Sequence, residues 1–200
     1  MNPVAHLFLL ILAVLASTAQ TPQPAPTPAA TPESNPFFAE WTTPFGVPPF
    51  GQIKDEHFLP AIREGMARQR AEVQAIADAQ EPPTFANTIE ALDRSGQFLS
   101  KVTDVFRNLA SAETNDRLQA ISKETAPMMA ALRDDIRLNG KLFGRVKAVY
   151  EQGDRLNLTV EQGKLLSDAY RDFVRGGANL DPAGADRLRK INSELATLGV

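Results

Sequence analysis

The chain has 200 residues, 43% of them apolar and 22% charged, with 21 basic and 24 acidic side chains and a formal charge of −3. That is globular composition without the basic footprint of a nucleic-acid binder. No cysteine is present, which excludes disulfides, iron–sulfur clusters, thiolate zinc sites and a cysteine nucleophile, and His6 and His57 leave too little imidazole for a His-rich zinc site or a Ser-His-Asp relay.

Charge is spread unevenly. No Lys or Arg precedes Lys54, and only Glu33 and Glu40 are charged before it. Leu7–Leu15 (LFLLILAVL) is an unbroken apolar run, too short to cross a ~30 Å hydrocarbon core as a helix. It suits the core of a secretory signal, with Ser17 and Ala19 as the small residues three and one before a cut after Ala19. Residues 1–19 are therefore expected to be a signal peptide, and the product to be exported, periplasmic or secreted. No cysteine follows the run, which excludes a lipid anchor, and no stable membrane anchor is expected after cleavage. Residues 20–35 (QTPQPAPTPAATPESN) lack large apolar side chains; proline fixes φ and removes donors, so a disordered, extended spacer is expected. Residues 36–53 differ, with Phe37, Phe38, Trp41, Phe45 and Phe50 set among prolines. Burying side chains that large gains about 1.5–3 kcal/mol each, so an irregular arm packed across a folded body is expected.

From Lys54 the helical period takes over, and residues 54–200 are expected to form an all-α domain of six helices. Phe58, Ile62, Met66, Val73 and Ala77 share one face, with Asp55 placed to cap the start, Pro60 tolerable near it, and Pro82-Pro83 as the stop. Ile89, Leu92, Gly96, Leu99, Val102, Phe106 and Leu109 form a second series in steps of three and four. Leu118, Ile121, Thr125, Met128, Leu132 and Ile136 form a third, with Pro127 expected to kink it near Lys123. Asn139 caps a fourth helix carrying Leu142, Phe143, Val146, Val149 and Tyr150. Thr159 with Gln162 is a capping-box pair ahead of Leu166, Ala169, Phe173 and Val174, and Gly176-Gly177 is the stop. Asp181-Pro182 opens a sixth, with Leu188, Ile191, Leu195 and Leu198 on its face. That stripe runs to the end of the sequence, so the chain is expected to be cut rather than finished. No alternating strand pattern or hairpin dipeptide competes.

Chemistry is scarce. HExxH, the phosphate-loop and dinucleotide fingerprints and the nucleophile elbow are all missing. His57 lies between Glu56 and Phe58 near Asp55, but helix neighbours point apart, and a structural role is expected. Asp134-Asp135 lacks the further oxygen ligands of a Ca²⁺ or Mg²⁺ cage and reads as a solvated face. Interleaved charges such as Arg63 to Glu72 fit exposed helix, and Met128-Met129 reads as core filler. No catalytic, cofactor-binding or metal-ligating residue is assigned.

The order of segments nevertheless resembles a known family. Asn35-Pro36-Phe37-Phe38, then PPFGQIKDEHFLPAIREGM (Pro48–Met66), is similar to the entry of M3-type zinc metallopeptidases. FANTIEALDRSGQFLSKVTDVFRNLASAETND (Phe85–Asp116) is the most specific stretch, followed by DDIRLNGKLFGRVKAVYE (Asp134–Glu151) and RDFVRGGANL (Arg171–Leu180). The likeness runs from about Asn35 to Val200, nearest the peptidyl-dipeptidase branch, with the oligopeptidase A-like branch beside it.

The resemblance implies the amino-terminal wall of a channel enclosed by helical halves, which limits access to short, unstructured peptides. In that family two His of an HExxH helix and a later Glu bind Zn²⁺, and the motif Glu activates the attacking water. None of those residues occurs here, so none is carried over. Two functions are then expected from different classes. The first is the amino-terminal fragment of an exported zinc metallopeptidase, monomeric at full length and inactive in this part, that releases C-terminal dipeptides from short peptides. The alternative is a stand-alone, non-enzymatic helical module that binds a peptide or protein.

Overall fold

The computed structural model describes residues 35–199. The expected signal segment 1–19, the spacer up to Ser34 and Val200 lie outside the described residues. The described chain is all-α: α1 (Asp55–Asp78), α2 (Ala91–Arg94), α3 (Gln97–Ala112), α4 (Asp116–Arg137), α5 (Gly140–Tyr150), α6 (Val160–Arg175) and α7 (Pro182–Leu198), with no strand among the described residues.

Six of these helices are long, and their bounds follow the apolar series. The second expected helix is where structure and periodicity part. Gly96 takes φ +75°, which breaks the run into α3 and a shorter piece, π-wound over Phe85–Glu90 and continuing into α2. A left-handed residue ends a helix, and a side chain would be strained there. A Cβ on Gly96 would also stand 2.5 Å from the Gln69 side chain, while the Gly96 N–H donates to Glu72 Oε2 at 2.7 Å. Spacing in threes and fours survives such a break because the apolar faces on both sides still turn toward α1.

Helix α1 is the axis of the fold, 24 residues or ~36 Å long at 1.5 Å per residue. Its first half joins one core, where Phe58, Ile62 and Met66 meet Leu99, Val102 and Phe106 of α3 and Leu118 and Leu132 of α4. Its second half joins another, where Val73, Ile76 and Ala77 meet Ile89, then Leu142, Val146 and Val149 of α5 and Leu166 and Phe173 of α6. Gly65 lets α1 and α3 cross closely: a Cβ there would sit 2.9 Å from Leu99 Cα. Helix α4 stays helical through Pro127.

The aromatic arm divides in two. Asn35, assigned to the spacer by composition, is buried: its Nδ2 donates to the His57 carbonyl at 2.8 Å and its Oδ1 accepts from the Phe37 N–H. Phe37 is fully buried, its ring 5.3 Å from Phe58, and Phe38 stacks on Phe98 under the Arg68 guanidinium. Lys101 ties this part down by donating to the carbonyls of Phe37 and Ala39 with its ammonium 4.0 Å from the Trp41 ring. Burial pushes the Lys101 ammonium below its usual range, and the Glu40 carboxylate partly restores it. Phe45 and Phe50 correct the expectation that the whole arm packs down, since both are exposed. A single helical turn at Pro44–Gly46 and the Pro48-Pro49 pair carry the chain outward there.

Candidate functional site

His57 is the one histidine among the described residues, and its surroundings give it a structural task. The N-cap of α1 is Lys54 rather than Asp55; the Lys54 N–H donates to His57 Nδ1 at 3.0 Å, and the His57 N–H donates back to the Lys54 carbonyl. An acidic N-cap side chain would do the same work on the N3 amide, but here the imidazole reaches backward instead. Asp55 instead accepts from Asn115 Nδ2, while Asn115 Oδ1 caps α4 by accepting from the Leu118 N–H. Burial pushes the His57 imidazole below its ordinary pKa, with Lys54 adding to the fall and Glu56 opposing it. A neutral imidazole is what an acceptor Nδ1 requires.

The Asp134-Asp135 pair does not converge. Asp134 is buried and accepts from Asn192 Nδ2 at 2.7 Å, whereas Asp135 is exposed between Arg189 of α7 at 2.9 Å and Arg70 of α1 at 3.4 Å. Both carboxylates dock α7 onto its neighbours. Met128 and Met129 pack against the first core. Arg63 pairs with Glu124 and Arg68 with Glu64, so the charge run is surface helix with ion pairs across its exposed side.

Zinc does not fit the described residues. Among them no three His, Cys, Asp or Glu side chains gather into a ligand set, and His57 spends its Nδ1 on a backbone N–H.

A groove of about 510 Å³ lies between α4, α6 and α7. Met129, Leu188 and Leu195 supply apolar lining, Arg133, Arg137 and Arg175 supply guanidinium groups, and Asp134 and Asn192, hydrogen-bonded to each other, complete the polar part. None of these three arginines has a carboxylate partner among the described residues. Sequence reading passed over them. The available signal was Arg133 and Arg137 one turn apart on one helix face, a like-charge spacing that disfavours a helix unless something neutralises it. A second hollow of about 510 Å³ beside α5 and α6, lined by Tyr150, Asp154, Asn157 and Thr159, brings no cluster of titratable groups together.

A buried cation lies outside both hollows. Arg145 Nη1 binds the carbonyls of Ala79 and Glu81 at 2.9 Å each, and Nη2 reaches Asn87 Oδ1 at 3.3 Å. This guanidinium closes the carboxy-terminal end of α1, where carbonyls are left without helical partners.

Fold and surface thus define a helical domain built around one long axial helix, whose notable surface is a groove with an arginine rim. No family model matches the chain. It is 43% identical to the dipeptidyl carboxypeptidase of Escherichia coli K12 over 164 residues, 82% of this chain and 24% of the relative. It is 25% identical to oligopeptidase A of Salmonella typhimurium LT2 over 157 residues, 78% of this chain and 23% of the relative. The chain spans about a quarter of the length of the curated relatives it matches. Over this stretch it is similar to M3 peptidases and fits the amino-terminal part of such a peptidase. No described helix is long and apolar enough to cross a membrane.

Proposed function

We propose that this chain is the amino-terminal part of an exported zinc metallopeptidase that removes C-terminal dipeptides from short peptides, and that it is inactive alone. The observation that carries this reading is 43% identity to a dipeptidyl carboxypeptidase of which the chain spans 24%. The helices of this part serve as a wall that admits extended peptides, while the zinc, its ligands and the water-activating Glu are supplied by later polypeptide. Export rests on the Leu7–Leu15 run, Ser17 and Ala19, and the proline-rich spacer then holds the folded body away from the signal. The working protein is a monomer whose partners are short peptides.

Two measurements test the reading. Sequencing the reading frame past Val200 should reveal an HExxH motif, and a stop codon there refutes it. Purified residues 20–200 should leave peptides intact with and without added Zn²⁺, and zinc-dependent turnover by this piece would overturn the assignment of the chemistry to later residues.

A further inference from the structure

Helix α7 is unlike its neighbours: it contributes no buried residue. It is held to α4 by Asn192 on Asp134, Arg189 on Asp135 and the flank of Leu188 at the groove. Beside that contact, Ile191, Leu195 and Leu198 recur at i, i+4 and i+7 on one strip and are 43%, 61% and 83% exposed. A lone exposed leucine needs no explanation, but a continuous aliphatic strip bordering a groove marks a surface that something covers. Leu195 belongs to both strip and groove, so the two form one surface; its polar lining is Arg133, Arg137 and Arg175, which have no carboxylate partners among the described residues, together with Asp134, which is already engaged by Asn192.

We infer that this surface is the seat of polypeptide that follows in the longer protein, and that the covering segment sets a carboxylate against Arg133 and Arg175 and apolar side chains against Ile191, Leu195 and Leu198. The inference rests on the reading of the chain as part of a longer peptidase. Relatives whose remaining three quarters have no counterpart here supply an occupant of ample size. A second copy whose two-fold axis passed through the groove would set arginine rim against arginine rim, an arrangement that like charge disfavours.

The chain has no cysteine, so single thiols report the surface directly. Leu195→Cys and Leu198→Cys are placed, one at a time, in the 200-residue chain and in the product of the whole reading frame, and maleimide labelling rates are compared after normalisation to each protein in denaturant. In the 200-residue chain both should label as exposed thiols; in the longer protein both should label at least ~10-fold more slowly, as expected of a site opened only by local unfolding. Adding Arg133→Glu with Arg175→Glu should return the longer protein's labelling toward the rate of the short chain, with circular dichroism confirming that both remain folded. Equal rates in the two proteins overturn the inference, as does protection of the short chain that grows with its concentration, which would make a second copy the occupant. Unprotected thiols in a protein that does encode HExxH sink this inference and leave the peptidase reading standing, whereas a frame ending at Val200 removes the reading itself.

Discussion

Replacing Arg145 with methionine tests how the connection after α1 is held against the second core, since methionine keeps the length of the side chain and removes its donors. Arg145 is 9% exposed, and its guanidinium satisfies Ala79 O, Glu81 O and Asn87 Oδ1, three acceptors around the Pro82-Pro83 connection. Asn87 also accepts from the Thr84 N–H and donates to the Pro82 carbonyl, so one cation holds a knot that fixes where the chain re-enters the second core. Hydrogen bonds to a charged group contribute about 1.5–3 kcal/mol each, and a buried acceptor left without a partner costs about 1–3 kcal/mol. Against this stand the desolvation of the guanidinium and its Nε, which has no partner. The balance is a loss of about 3 kcal/mol for Arg145→Met, or a Tm fall of about 6–12 °C for a domain of this size. Arg145→Lys should recover less than half of it, because an ammonium cannot span two carbonyls and an amide in one plane. Urea denaturation followed by circular dichroism measures both. A methionine variant within ~1 kcal/mol of the parent would show that the loop acceptors are satisfied by water and refute the argument.

Other expectations follow from single sites. Phe58→Ala opens a cavity between Phe37 and Phe106, whose rings lie 5.3 and 5.2 Å from Phe58, and should cost about 3–5 kcal/mol by denaturant titration. Gly96→Ala forces a side chain into the left-handed region against Gln69 and should cost about 1–2 kcal/mol by the same assay. In residues 20–200 His57 is the only imidazole, so its titration by NMR is unambiguous, and its pKa should fall below 6.5. Because the folded state then binds the proton less tightly than the unfolded state, this group's contribution to stability is present above pH 6.5 and is lost as pH falls through the folded pKa. A His57→Gln variant should lose less stability than the parent between pH 7 and pH 5, and a measured pKa at or above 6.5 would contradict the burial argument.

Much of this fold could be read from residue order because it depends on local rules. The apolar series at Phe58–Ala77, Leu118–Ile136 and Leu142–Val149 each turn one face inward, and the caps Asn115, Asn139, Thr159 and Asp181 each accept an amide of the first helical turn. Only Asn139, Thr159 and Asp181 among these were singled out by sequence, and the Lys54–His57 cap was missed because it uses a rare side chain. The candidate site was far less legible. Arg133 and Arg175 lie on different helices, and nothing in either segment says that the other stands across a groove.

Sequence alone therefore determined the all-helical class, the apolar face of each long helix and the kinship with M3 peptidases, since periodicity, capping and residue identity act over a few positions at a time. Tertiary structure decided the rest: the left-handed break at Gly96, the division of the arm into a buried Phe37 and an exposed Phe45, the buried Arg145 knot and the uncovered strip of α7. Each of these depends on which distant surface comes within contact range, and that is settled only when the helices pack.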